Sequence, residues 1–225
     1  MTAVLHQFEI SPFCRKVAKA LQYKGIAFTT IDYNGLSAAR AQRLSKAGKL
    51  PVLEIDGLRL QDSTRIVRYL DEAYPDLPPL YPQDPLEKAQ AELWEDWSDE
   101  LLYWFEVYFR AHDPAALDEA VRISVIGRPA FERHVVKPML GAALKMQLLM
   151  QGLGRMDRAD VEADFLRHLD RIDLVLAQTG WLVGRGKTIA DIAVGSQLAE
   201  VVRTSSLMRP QVLGREHIAR WLDRL

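Results

Sequence analysis

The sequence predicts an α/β unit followed by an all-helical one, on three observations. Short alternating or β-branched runs separated by helical patterns fill the first third, and every long segment after it has helical spacing. Between them, five of the 11 prolines crowd into PDLPPLYPQDP, from Pro75 to Pro85. Proline at that density holds no helix and resists sheet pairing, so this stretch marks a boundary. The expected division is 1–76 for the first domain, 77–86 for a linker and 87–225 for the helical domain.

In the first domain, residues 4–8 read as a strand and 12–24 as a helix, with Phe13, Val17 and Leu21 recurring every fourth position and Gly25 as its stop. A second strand is expected at 26–31 and a short polar helix at 37–46, stopped by Gly48. Residues 52–55 and 58–60 form a tight hairpin about Asp56-Gly57, where glycine tolerates positive φ. A helix at 63–74 completes the order βαβαββα.

Beyond the linker, Leu93, Trp94, Trp97, Leu101, Trp104, Phe105 and Tyr108 fall at helical intervals, so one long helix carries an aromatic stripe whose first use is core packing. Further helices are expected at 129–150, 161–177, 189–203 and 216–222.

Composition narrows the function classes. With 225 residues, 48% hydrophobic and 26% charged, the chain matches globular usage, which excludes disorder as the main state. Its 29 basic residues against 30 acidic ones leave no positive excess for phosphate backbones, which argues against nucleic acid as the main partner. The one cysteine, Cys14, precludes an internal disulfide and fits a reducing, cytoplasmic setting. Five dispersed histidines include no pair at ligand spacing, so no metal is expected; His168 reads as a surface residue. Neither a leader nor a membrane span is expected, because every long apolar run is interrupted by charge.

Three segments carry possible chemistry. Ser11-Pro12-Phe13-Cys14 opens the first helix directly after the first strand. Ser is a favoured cap and Pro a favoured first helical residue, so simple capping explains it. Equally, the free N–H groups and positive dipole end around the Ser11 hydroxyl make a pocket for a thiolate. Arg15 and Lys16 then stand against the dipole, either as solvated side chains or as a local misfit that function compensates. In Lys49-Leu50-Pro51-Val52, a proline begins a strand. In Gln61-Asp62-Ser63, a carboxylate and a hydroxyl open the third helix, as a cap or as a site for a ligand's charged end.

In this order and at these intervals the segments resemble the serine-type glutathione S-transferase family, over essentially the whole chain. Thr188-Ile189-Ala190-Asp191 after Gly184 is similar to the family's capping motif in the second domain, a box in which Asp replaces the usual Glu or Gln. Lys187 stands where an apolar residue would staple onto Ile192, so this cap is expected to be a weak point.

The resemblance implies a thioredoxin-like first domain binding glutathione as co-substrate, and a helical bundle holding a small, mostly apolar electrophile, as in detoxification. Ser11 would donate to the glutathione sulfur, beside Phe13. Val52, after a cis Pro51, would pair with the cysteinyl backbone, with Leu50 flanking it. Asp62 and Ser63 would hold the γ-glutamyl end, and Lys49 the glycyl carboxylate. Trp97, Tyr103, Trp104, Tyr108 and Phe109 lie on the helix expected to face Ser11, and Trp104 and Tyr108 are taken as the second-substrate pocket. A homodimer is implied as well. Cys14 lies on roughly the same helix face as Ser11, either as an inert buried thiol or as the thiol of a reductase or dehalogenase step. A non-catalytic adaptor on the same fold is the alternative from another class.

Overall fold

The computed structural model describes residues 3–45 and 47–225. Its first element, β1 (Ala3–Gln7), sits inside a four-stranded sheet of order β2-β1-β3-β4. Helix α1 (Pro12–Tyr23) returns the chain to β2 (Phe28–Asp32), which pairs parallel to β1 with Ala3 opposite Phe28. The hairpin β3 (Val52–Ile55) and β4 (Leu58–Gln61) adds two antiparallel strands on the other side of β1. Asp56 and Gly57 turn it with φ of 51° and 77°, the pair of positive values that a two-residue loop matched to strand twist requires. Helix α2 (Ser63–Ala73) ends the unit, and Leu5, Val17, Leu21, Leu53, Ile66 and Leu70 fill its core.

The expected polar helix at 37–46 is instead a 3-10 segment, Gly35–Arg43, and Lys46 lies outside the described residues. Only Ala41 of that segment is buried, too little apolar surface to organise α-helical turns.

The proline-rich stretch is tied down at its middle and at its far end. Leu80 is fully buried; its N–H donates to Asp71 Oδ1 at 2.7 Å and its carbonyl accepts from the Ile189 N–H at 2.8 Å. Asp84 then caps α3 (Pro85–Trp97), with Pro85 in the first helical position. The expected long helix runs on through a π turn, Ser98–Leu102, into α4 (Tyr103–His112).

After these come α5 (Pro114–Ser124), α6 (Glu132–Gln151), α7 (Arg158–Thr179), α8 (Ile189–Thr204), α9 (Arg209–Leu213) and α10 (Glu216–Leu222). Sequence reading missed α5 and α9. The α5 signal was present, since Asp113 accepts from the Ala115 N–H and Pro114 follows it, the cap pair that starts α3.

Helix α8 is apolar around most of its circumference and is buried along nearly all of its length, the central helix against which α1, α3 and α4 pack. Its start is the expected box: the Thr188 N–H donates to Asp191 Oδ2 at 2.9 Å. Lys187, in the staple position, has its ammonium 5.7 Å from the Tyr23 ring centre and donates to the Arg224 carbonyl at 3.0 Å.

Candidate functional site

The turn between β1 and α1 sets the site. Ser11 has extended backbone angles (φ −86°, ψ 120°), and its N–H donates to the Phe8 carbonyl at 3.0 Å. Its Oγ accepts from the Cys14 N–H at 3.3 Å. This cap bond uses an oxygen lone pair and not the hydroxyl proton, which the Cys14 sulfur also draws on.

Cys14 lies wholly beneath the helix, in a small core with Ala41, Leu50 and Val52. Burial pushes its thiol up to about 12, against the opposing influence of the Ser11 hydroxyl. A thiol so shifted carries negligible thiolate at neutral pH.

The Leu50–Pro51 peptide bond is cis, and Val52 follows it into β3, opposite His6 on one side and Gln61 on the other. Leu50 is buried, whereas Lys49 is exposed. Asp62 caps α2, its Oδ1 accepting from the Arg65 N–H at 3.1 Å, yet its backbone sits at φ 76°, ψ 124°. An L residue held there costs on the order of 1–3 kcal/mol, a strain that gathers at ligand clamps. Ser63 beside it is buried.

The two basic residues that oppose the α1 dipole are both ion-paired, and Lys16 is withdrawn from solvent. Lys16 is only 1% exposed, and its Nζ donates to Asp99 Oδ2 at 2.6 Å, Glu95 Oε1 at 2.9 Å and Thr64 Oγ1 at 3.2 Å. Burial alone would lower this ammonium's pKa, but the two carboxylates hold it above the usual lysine value. The contact joins α1, the start of α2 and the π turn, so the Ser11 and Asp62 turns are braced against the same point. Arg15 meets Glu200 of α8 at 2.5 Å.

On the helical side the aromatic residue that meets the Ser11 segment is Tyr103, whose ring centre lies 5.0 Å from that of Phe13. Trp104 is half-buried and packs 5.3 Å from Tyr103. Tyr108 is buried, stacked on His112 at 4.2 Å and edge-on to Phe109. Of the two aromatics chosen from sequence, Trp104 therefore adjoins the Phe13–Tyr103 pair and Tyr108 is occupied by His112. His168 is half-buried at the surface, 5.3 Å from Trp97 and 5.6 Å from Phe105. A separate apolar groove of about 320 Å³, lined by Leu93, Trp94, Trp97, His168 and Arg171 among others, shares no lining residue with the Ser11 turn. Among the described residues no three His, Cys, Asp or Glu side chains gather to hold a metal ion, and no helix is long and apolar enough to cross a membrane.

A family profile described as glutathione S-transferase, N-terminal domain, matches residues 5–79. Glutathione S-transferase U22 of Arabidopsis thaliana is 34% identical over 102 residues, 44% of this chain and 47% of that protein. Glutathione transferase GST 23 of Zea mays is 35% identical over 92 residues, 40% of this chain and 41% of that protein. The chain thus spans less than half the length of the curated relatives it matches. Among solved structures, β-etherase LigF from Sphingobium sp. strain SYK-6 superposes with a TM-score of 0.71 at 20% identity, over 100% of this chain and 94% of that one. A Methylobacterium radiotolerans glutathione S-transferase in complex with glutathione sulfonate superposes with a TM-score of 0.61 at 24% identity, over 100% and 90%. At these identities the likeness is one of fold.

Proposed function

We propose that the chain, whose residues 5–79 match the N-terminal domain of the glutathione S-transferases, belongs to that family, binds glutathione across the start of α1 and transfers its thiolate to a small apolar electrophile. The observation that carries this reading is the Ser11 cap: the Cys14 N–H engages its oxygen and not its proton, which the hydroxyl can turn from the Cys14 sulfur to a sulfur lying over the helix N-terminus.

In this reading Val52 pairs through its backbone with the cysteinyl part of the tripeptide, flanked by Leu50 and Pro51. Asp62 and Ser63 receive the γ-glutamyl end, and the exposed Lys49 the glycyl carboxylate. Phe13, Tyr103 and Trp104 wall the second-substrate side, with Tyr108 behind them. The division into 1–76, 77–86 and 87–225 assigns glutathione to the first domain and the electrophile to the third segment. A homodimer in the cytoplasm completes the proposal; the lone cysteine suits a reducing compartment.

The chemistry is within reach of these groups. Moving a thiol from about 8.5 to about 6.5 takes roughly 2.7 kcal/mol. A hydrogen bond to a charged acceptor supplies roughly 1.5–3 kcal/mol and a helix end up to about 2 kcal/mol. Ser11 keeps its own proton throughout, and the thiolate, now the majority form at neutral pH, attacks the electrophile. The depth and raised pKa of Cys14 argue against a protein thiolate in the reaction.

The test is retention on immobilised glutathione together with turnover of an aromatic electrophile by wild type and Ser11→Ala. Retention of both, with turnover lost in the variant, supports the reading. Failure of the wild type to be retained overturns it in favour of the adaptor.

A further inference from the structure

The turn that carries Ser11 is gripped from the helical side by side chains that touch neither proposed substrate subsite. Arg203 of α8 donates through Nη2 to the Glu9 carbonyl at 2.8 Å and through Nη1 to the Glu9 carboxylate at 3.1 Å. Arg110 of α4 donates through Nη2 to the Ile10 carbonyl at 3.4 Å. On the far side of Ser11, Arg15 reaches the Glu9 carboxylate at 3.4 Å.

All three guanidinium groups converge on one carboxylate. Glu200 of α8 takes Arg15 Nε at 2.5 Å, Arg110 Nη2 at 2.8 Å and Arg203 Nη2 at 3.1 Å. Glu200 is fully buried, and buried Glu106 of α4 binds the other arm of Arg110. A cluster of three acids and three arginines therefore brackets Ser11 in sequence, at residues 9, 10 and 15.

Stability alone does not explain such a cluster. Buried ion pairs recover little beyond their desolvation cost, and apolar packing of the same volume joins two surfaces as well or better. What arginine adds is a planar fork whose donors aim in fixed directions, here at two consecutive main-chain carbonyls.

We propose that Glu200, Arg110 and Arg203 are positioning residues for Ser11: Glu200 orients the two forks, the forks fix the Glu9 and Ile10 carbonyls, and the fixed turn aims the Ser11 hydroxyl and the α1 N-terminus at the sulfur. The inference rests on the glutathione reading above and makes the helical domain a working part of thiol activation. It also accounts for Arg15, which the helix dipole disfavours at that position.

The experiment is titration of the bound glutathione thiol by ultraviolet absorbance in wild type and in Arg203→Lys. Lysine keeps the charge but offers one nitrogen in place of the separate Nε, Nη1 and Nη2 that reach Glu200, the Glu9 carboxylate and the Glu9 carbonyl, so the fixed directions of the fork are lost. The expected result is a bound-thiol pKa raised by about one unit, with kcat at mildly acidic pH down about tenfold and recovering at high pH. A purely structural role would lower the melting temperature and leave the pH profile in place. Should Arg203→Lys fail to fold, Arg110→Lys, which takes the fork from the Ile10 carbonyl, decides, with a smaller rise expected. An unshifted thiol pKa in a folded variant overturns the inference. A wild type that leaves the bound thiol at its free value overturns the glutathione reading itself, and this inference with it, before any variant is made.

Discussion

The indole N–H of Trp221 ends on Asp191 Oδ1, 2.9 Å away and 30 positions earlier in the chain. The same oxygen accepts from the Leu182 N–H at 3.0 Å, while Oδ2 accepts from the Thr188 N–H at 2.9 Å. A fully buried carboxylate thus joins the start of α8, the loop before it and the terminal helix. Asp191→Ala strands three N–H donors and releases the Thr188 hydroxyl, each N–H costing about 1–3 kcal/mol when left unpaired. A thermal melt should fall steeply, by an amount corresponding to at least about 3 kcal/mol; an unchanged melt would remove Asp191 from its place at the centre of the helical domain.

Lys16 supports a second prediction. Lys16→Met removes the cation between Asp99 and Glu95, and breaking a buried pair by deleting one partner costs roughly 3–5 kcal/mol. The urea midpoint should drop accordingly. If it holds, the two carboxylates find other partners and the brace between α1 and the π turn is not needed.

Glu106 gives the pH dependence. Burial raises its carboxyl to about 8, opposed by Arg110 and reinforced by Glu200. A carboxyl whose folded pKa lies above its unfolded value contributes stability that is fully present below the unfolded pKa and lost as pH rises through the folded one. Wild type should therefore lose stability from about pH 5 to about pH 8. Glu106→Gln should flatten that slope, measured by denaturant unfolding at the two ends. A slope identical in the variant would assign it to other groups.

Cys14→Ala should leave turnover unchanged, because a thiol raised to about 12 supplies no nucleophile at neutral pH. Its cost should be a modest stability loss of about 1–2 kcal/mol from the small cavity left among Ala41, Leu50 and Val52. Loss of turnover in a folded Cys14→Ala protein would promote the reductase or dehalogenase reading over the transferase one.

Local sequence rules reached most of the fold, because short-range chemistry decides those elements. Asp56-Gly57 named its turn, Ser11-Pro12 its cap and Thr188 to Asp191 its box, each within four residues. Where nothing local held the chain, as in the polar 3-10 segment at Gly35–Arg43, helix type was misjudged. The misfits Arg15 and Lys16 were visible as basic residues in a first turn, but their partners were not: Lys16 meets Glu95 and Asp99 across 79 and 83 positions. Tyr103 was passed over for Tyr108 because it falls off the helical stripe that carries Trp97, Trp104 and Tyr108, and only the approach of Phe13 marks it. Glu200 carried no signal in sequence, an acid in an apolar helix whose three arginine partners come from three helices.

The central claim is that Ser11 and the α1 N-terminus ionise bound glutathione, and ultraviolet titration of the thiol in the complex, with Ser11→Ala beside it, tests this most directly. The account predicts a bound pKa near 6.5, about two units below the free thiol, and a return of more than half that shift in Ser11→Ala. A wild-type complex whose thiol titrates where free glutathione does would contradict it.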